Sequence, residues 1–150
     1  MKKNDILCAV DFSESSIDAM NWAIDLAKKT QAKLTVMYCY RLIPTTGGND
    51  EASTSLKRNI EEEATRKFRE FEAQHLSDHA VNYRFIAEVG FYHFRIEMFL
   101  QSNPVGLLVI GGSIVDNFDE YKNLGFEKFI SGSKVPILIV PHEREEPIAV

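Results

Sequence analysis

Leu107-Leu108-Val109-Ile110-Gly111-Gly112-Ser113 shows the architecture of this chain most clearly. Four apolar residues in succession are typical of a parallel strand that is covered on both faces. The run passes directly into two glycines and a serine, and ligands in open parallel sheets bind beyond the carboxyl ends of the strands. This segment therefore predicts a buried strand followed by the main candidate for a binding segment.

The segments on either side of this strand alternate between strand and helix patterns. Ile6 to Val10 is another short apolar run, and residues 15–29 after it carry apolar positions at helical spacing. The other strands are predicted at 33–40, 81–87 and 137–140, and the other helices at 54–75, 91–101 and 120–131. Five strands and four helices in alternation predict one doubly wound α/β domain over residues 1–150, an α/β/α sandwich with the parallel strand order 3-2-1-4-5.

The length and composition of the chain limit its class. One ordinary domain fits 150 residues, of which 45% are hydrophobic and 26% charged. The net charge of −5 argues against nucleic acid or an anionic membrane surface as a partner. No apolar run approaches the roughly 20 residues of a membrane span, and the first residues do not resemble a signal peptide, so we expect a cytoplasmic protein. Residues 43–53 are predicted to be a mobile loop and residues 142–150 a tail.

The predicted strand order places the candidate ligand crevice between the first and fourth strands. Three segments line it: Val10, Asp11, Phe12 and Ser13 after strand one, Tyr40 and Arg41 after strand two, and Gly111, Gly112 and Ser113 after strand four. Backbone amides at such positions can hold an anion. Asp11 has an alternative structural role, because a carboxylate at a strand end accepts hydrogen bonds from the amides of the following helix.

Several of these segments resemble one known family. Ile6-Leu-Cys-Ala-Val-Asp-Phe-Ser-Glu14, followed by small residues at 19, 23 and 27, is similar to the opening of universal stress proteins. The segments at 33–39, 107–112 and 135–140 resemble the same family, so the likeness extends over nearly the whole chain. In nucleotide-binding members the aspartate that ends the first strand hydrogen-bonds adenine. The resemblance implies this role for Asp11.

The phosphate-binding loop of that family is the part that this chain does not reproduce. Nucleotide-binding members hold phosphates with a Gly-x2-Gly-x9-Gly-Ser/Thr loop after the fourth strand, and Gly111 matches its first glycine. Ile114 and Leu124 stand in the other two glycine positions. A shift of one residue brings in Gly125, but Phe126 then replaces the hydroxyl residue. A side chain at 114 blocks close backbone approach, and the carboxylates that follow oppose an anion, so we expect no tight ATP binding in the usual mode.

Other chemistry has little support in the sequence. Cys8 and Cys39 fall inside apolar strands, which is typical of buried thiols; a disulfide between neighbouring strands is the alternative. The four histidines are scattered without the spacing of a metal site. Ser13 and Ser113 lack the sequence context of a nucleophilic serine, so we predict no catalytic residue and no metal ligand.

These observations lead to two main hypotheses. The first is a non-catalytic universal stress protein without a cofactor, a homodimer that pairs through the edge strand Ile137-Leu138-Ile139-Val140 and regulates an unidentified protein partner. The alternative is a sensor that binds ATP, AMP or another adenine compound through Asp11 and the crevice. An enzyme such as a nucleotide hydrolase is a third hypothesis, for which the sequence offers no catalytic group.

Overall fold

A five-stranded parallel sheet forms the centre of the molecule. The computed structural model describes residues 4–42, 50–77, 80–119 and 125–141. The strands are β1 (Asp5–Val10), β2 (Leu34–Tyr40), β3 (Tyr83–Val89), β4 (Val105–Gly111) and β5 (Ile137–Val140). Their order is β3-β2-β1-β4-β5 and every neighbouring pair is parallel, which confirms the predicted order 3-2-1-4-5. The central strand, β1, is thus hydrogen-bonded to β2 on one side and to β4 on the other.

Helices cover both faces of this sheet. On one face lie α1 (Glu14–Thr30) and α2 (Asp50–His75), and on the other lie α3 (Tyr92–Ser102), α4 (Gly112–Asp119) and α5 (Phe126–Gly132). Each face has its own cluster of buried apolar side chains, because successive residues of a buried strand point to opposite faces. The predicted α/β/α sandwich is confirmed.

The first helix begins and ends at residues that satisfy its free backbone groups. Ser13 is the N-cap, and its Oγ accepts a hydrogen bond from the Ser16 amide at 3.3 Å. Gln31 adopts the left-handed conformation at the C-terminal end, where its amide donates to the Ala27 carbonyl. The prediction of a helix at 15–29 is confirmed, and most other predicted elements also agree with the structure to within one or two residues.

The predicted loop at 43–53 is wrong in its last part. Residues 43–49 lie outside the described part of the chain, but α2 already begins at Asp50. Acidic residues are favourable in the first turn of a helix because they interact with its positive end, and the sequence places Asp50 and Glu51 there. The small polar residues of this segment predicted a loop, whereas the charges at 50 and 51 fit the start of a helix.

The prediction of a single helix at 120–131 is also wrong. Residues 120–124 lie outside the described part, α5 covers Phe126–Gly132, and an additional helix, α4, follows β4 without a loop. Five helices are therefore described where four were predicted. The reason lies in Ile114 and Phe118, which are spaced by one helical turn and are 0% and 1% exposed. Burying two such side chains contributes roughly 1.5–3 kcal/mol each, which outweighs the weak helix propensity of Gly112.

The two cysteines lie on opposite faces of the sheet. Cys8 belongs to the core beneath α1 and α2, and Cys39 to the core beneath α3 to α5, and both are free thiols. Side chains on opposite faces cannot form a disulfide, so that alternative is excluded. Burial raises the pKa of Cys39 to about 12 and also raises the pKa of Cys8, which keeps both groups protonated and unreactive.

No helix within the described residues is both long and apolar enough to cross a membrane. The same ranges contain no cluster of three His, Cys, Asp or Glu side chains arranged to hold a metal ion. The predicted tail at 142–150 lies outside these ranges.

Candidate functional site

The carboxyl ends of β1 and β4 meet at the point where the strand order reverses. Ala9 lies beside Ile110 in the register of these two strands, so that Asp11 and Gly111 follow within the next residues at the same edge of the sheet. The N-terminus of α1 follows Asp11 through Ser13, and the N-terminus of α4 follows Gly111 directly. Two helix N-termini therefore converge on Asp11, as the doubly wound fold predicts for a ligand site.

Asp11 is held by a network of serines at this edge. Its Oδ1 accepts hydrogen bonds from the Ser13 amide at 3.0 Å, the Ser13 hydroxyl at 2.5 Å and the Ser16 hydroxyl at 2.6 Å. The Asp11 amide donates to Ser16 Oγ at 3.0 Å. All of these bonds to the carboxylate end on Oδ1, and neither Ser13 nor Ser16 donates to Oδ2. Oδ1 thus fixes the turn after β1, and Oδ2 is not used for this.

The serine network extends from Asp11 to the start of α4. Ser13 Oγ lies 2.7 Å from Ser113 Oγ, the Ser15 hydroxyl donates to Ser113 Oγ at 3.1 Å, and the Ser113 amide donates to Ser15 Oγ at 3.2 Å. Because a carboxylate only accepts, the Ser13 proton points to Asp11, and Ser113 must be the donor to Ser13. The hydroxyl protons of Ser15, Ser113 and Ser13 are therefore all directed along one chain that ends at the carboxylate.

The charge state of Asp11 follows from this network. Burial raises the pKa of the Asp11 carboxyl, but the hydrogen bonds from Ser13 and Ser16 outweigh burial and bring the pKa below its usual value. A carboxylate with a lowered pKa is a poor base, so it cannot activate Ser13 as a nucleophile near neutral pH. The arrangement fits a fixed hydrogen-bond acceptor.

Phe12 adopts a strained backbone conformation between Asp11 and Ser13. Its φ is 62°, in the left-handed region that bulky side chains rarely adopt. This conformation turns the chain so that the Ser13 amide reaches Asp11 Oδ1. It also directs the Phe12 ring towards β2, where the centroid lies 5.5 Å from that of Tyr38. Strain of this kind is concentrated at functional sites.

The glycine segment after β4 is occupied by internal packing. A Cβ atom at Gly111 would lie 2.6 Å from the carbonyl carbon of Ser15 and 2.7 Å from its oxygen, so Gly111 allows α1 and β4 to approach each other. Neither Gly111 nor Gly112 has a positive φ. The Ser113 amide is bonded to Ser15, and Ile114 is completely buried. The segment predicted to be a binding loop is therefore the first turn of a packed helix.

A cleft of about 220 Å³ lies beside Asp11 at the carboxyl ends of β2 and β3. Four of the nine residues that line it are aromatic, and the full set is Asp11, Tyr38, Cys39, Tyr40, Arg41, Gly90, Phe91, Tyr92 and Asn117. Two of these tyrosines are fixed by their hydroxyls: Tyr92 donates to the Val10 carbonyl at 2.6 Å and Tyr40 to Glu61 Oε1 at 2.8 Å. We call this the Asp11 cleft.

The residues that the sequence predicts to line the ligand crevice lie in different places in the structure. Asp11 and Tyr40 line the Asp11 cleft, Val10 supports it through Tyr92, and Ser13, Gly111, Gly112 and Ser113 form the packed junction next to it. Phe12 lines a neighbouring cleft under α2, and Gly125, the N-cap of α5, does not line the Asp11 cleft.

Sequence reasoning missed the segment Gly90-Phe91-Tyr92. A signal was present, because this segment follows the third strand and therefore lies at the same edge of the sheet as Asp11.

Comparison with known proteins gives a family match over most of the chain. The model of the universal stress protein family matches residues 3–141. A search of curated proteins finds no match. Solved structures include the universal stress protein UspA from Lactobacillus plantarum, which is 18% identical, covers 93% of this chain and 99% of its own, and has a TM-score of 0.72.

Two of the similar structures are described as nucleotide complexes. A universal stress protein in complex with cAMP is 21% identical, with 91% of this chain and 96% of that chain covered and a TM-score of 0.65. The universal stress protein from Archaeoglobus fulgidus in complex with dAMP is 16% identical, with 93% and 99% covered and a TM-score of 0.55. At these identities the structures support the fold.

Proposed function

Because the chain belongs to the universal stress protein family, as the match over residues 3–141 shows, we propose that it is a non-catalytic regulatory protein that has lost the usual ATP phosphate site. The observation that carries this proposal is the Ser113 amide, which donates to Ser15 Oγ. An amide engaged inside the protein is not available to a phosphate.

The energetics of phosphate binding support this proposal. Each charge-assisted hydrogen bond to an anion contributes about 1.5–3 kcal/mol, so the loss of two or three amide and hydroxyl contacts reduces ATP affinity by several orders of magnitude. The Ile114 side chain and the packed Gly111 leave no open glycine loop after β4. The Asp116 carboxylate on α4 adds repulsion towards a triphosphate.

The absence of a catalytic role is supported by the state of the serines. Ser13 and Ser113 are the two hydroxyls that the sequence offers as candidate nucleophiles, and both donate within the serine network. The carboxylate at its end has a lowered pKa, and general base catalysis requires a group that titrates near the working pH. The network therefore fits the fixing of Asp11.

A second function, the binding of an adenine compound, is favoured by Asp11 Oδ2. Asp11 lines the Asp11 cleft together with four aromatic side chains, which suit a planar ring with an amino group. The volume of about 220 Å³ is below the roughly 300–1,000 Å³ of ordinary ligand pockets, so a base fits better than a whole nucleoside triphosphate such as ATP. The cAMP and dAMP complexes of related proteins agree with this proposal.

Calorimetry and melting temperature with adenosine, AMP and ATP test both functions. We expect ATP to bind no more tightly than AMP, and Asp11→Asn to weaken all three, because the amide replaces an acceptor with a donor. Asp25→Asn, an exposed aspartate of α1, is the matched control. Micromolar ATP binding that exceeds AMP binding contradicts the loss of the phosphate site. No heat and no melting shift at millimolar ligand removes the adenine site.

We also propose that the protein is a homodimer through β5. This strand is at the edge of the sheet, pairs with β4, and has no second partner in the described ranges. Ile139 is 41% exposed on it, and an apolar edge strand is a template for pairing with a second copy. Light scattering at micromolar concentration should give a dimer, and Ile139→Lys a monomer. The control is Met98→Lys, which changes a residue of similar exposure on α3; a monomeric parent protein contradicts the dimer.

A further inference from the structure

Arg41 lines the Asp11 cleft just beyond the carboxyl end of β2. It directly follows the last residue of that strand, and its guanidinium lies over the Phe91 ring, with the central carbon 5.0 Å from the ring centroid. The ring attracts the positive charge and is not a lone-pair acceptor, so the contact leaves the N–H groups of the guanidinium able to donate to another group. Within the described ranges no carboxylate forms a salt bridge with Arg41.

The position of Phe91 beneath Arg41 is built into the backbone. The Gly90 amide donates to the Tyr40 carbonyl at 2.8 Å, which joins the end of β2 to the turn after β3. Gly90 has a φ of 137°, a conformation that residues with a side chain rarely adopt, and a Cβ atom there would lie 3.1 Å from Arg95 Nε. The turn therefore holds Phe91, and with it Arg41, in a fixed relation to the cleft.

The cleft carries charges of both signs. Asp11 supplies a carboxylate at β1, and Arg41 supplies a guanidinium at β2. At the start of α4, by contrast, the Ser113 amide is already bonded to Ser15. An anionic group on a ligand held at Asp11 is thus attracted towards β2.

We propose that Arg41 binds an anionic group of the ligand, so that the cleft selects a planar ring with an amino group and one compact phosphate. The amino group donates to Asp11 Oδ2 and the phosphate accepts from the edge of Arg41. This inference rests on the adenine site proposed above and adds to it a positively charged subsite on the opposite side from the usual phosphate loop. A triphosphate gains little more, because one guanidinium holds one phosphate in a fork.

Calorimetry with adenosine and AMP tests this subsite. We expect AMP to bind the parent protein about tenfold to a hundredfold more tightly than adenosine, as one charge-assisted contact provides. Arg41→Gln should abolish this preference, because it weakens AMP binding by this factor and adenosine binding much less. Arg41→Lys should keep part of it, because the charge remains and the fork is lost.

Arg84→Gln is the matched control for the loss of one positive charge. Arg84 also lies over a phenylalanine, Phe99, at 5.5 Å, but it donates to Thr35 near the start of β2, at the other end of the strands. We expect this variant to keep the preference for AMP. An equal loss in Arg84→Gln, or an equal weakening of adenosine and AMP in Arg41→Gln, overturns the role of Arg41.

Binding of adenosine and AMP to the parent protein distinguishes a failure of the Arg41 subsite from a failure of the base site at Asp11. If adenosine binds but AMP binds no more tightly, the Arg41 subsite is wrong and the base site at Asp11 stands. If neither ligand binds, both are wrong.

Discussion

Replacing Gly111 by alanine tests whether this glycine serves packing. The new Cβ atom would lie 2.6 Å from the Ser15 carbonyl carbon and 2.7 Å from both the Ser15 carbonyl oxygen and Oγ. Two of these atoms belong to the backbone of α1, so the helix must retreat by roughly 0.8 Å to reach ordinary van der Waals contact. The Ser113 amide donates a hydrogen bond to Ser15 Oγ at 3.2 Å, and such a shift also lengthens this bond.

The magnitude follows from these contacts. Overpacking a core typically costs 1–3 kcal/mol, and contact with backbone atoms places Gly111→Ala at the upper end, at about 3 kcal/mol of unfolding free energy. With a urea dependence of roughly 2 kcal/mol per molar, the unfolding midpoint should fall by about 1.5 M. Urea unfolding is followed by circular dichroism, with all variants at the same protein concentration because the proposed dimer would make stability depend on concentration.

Gly132→Ala is the matched control for this measurement. A Cβ atom at Gly132 meets nothing within 4 Å, and the residue ends α5, so the same substitution should change stability by less than about 1 kcal/mol. If Gly111→Ala is as stable as the parent protein or as Gly132→Ala, the close approach of α1 and β4 is not what requires glycine here. The segment would then be available for another role.

Three further outcomes are expected. The lowered pKa of Asp11 stabilises the folded state above the ordinary aspartate pKa of about 3.9, so the stability advantage of the parent protein over Asp11→Asn should disappear as the pH falls through and below that value in urea titrations. Phe12 has a positive φ, which glycine adopts without strain, so Phe12→Gly should be at least as stable to urea as Phe12→Ala. Alanine is usually the more stabilising of the two residues, and a more stable Phe12→Ala would argue against strain at this position. Cys8 and Cys39 should react with a thiol reagent only after unfolding, because burial raises the pKa of both, and rapid reaction of the native protein would contradict this.

Most of the fold is predictable from local patterns. The apolar runs of β1 and β4 are long enough to identify buried parallel strands, and their alternation with helical spacing leads to the observed order. The start of α4 was missed because two glycines suggested a loop, although Ile114 and Phe118 already stood one helical turn apart. A glycine indicates only that the backbone can adopt many conformations. Whether the residues after it form a helix depends on which of their side chains are buried in the folded protein.

The candidate site was predictable to a smaller extent. Asp11 was identifiable because it ends an apolar strand, and chain order alone places strand ends at one edge of the sheet. The serine network depends on contacts between residues about a hundred positions apart, such as Ser13 with Ser113, and no local pattern encodes such a contact. The relation of Arg41 to Phe91 likewise depends on the turn at Gly90, whose φ is not visible in the sequence.

The two parts of the proposed site depend on different elements. Asp11 and the cleft are held mainly by β1, β2 and the turn after β3, with Ser113 and Asn117 of α4 beside them. A phosphate loop of the family's kind would lie at the junction of β4 and α4, where Ile114 is completely buried and the Ser113 amide is bonded to Ser15. Glycine at position 114 would leave a cavity that costs several kcal/mol, and the Ser113 amide would still be engaged. A phosphate loop at this junction would therefore need more than glycine at 114, since α4 itself would have to move away from α1.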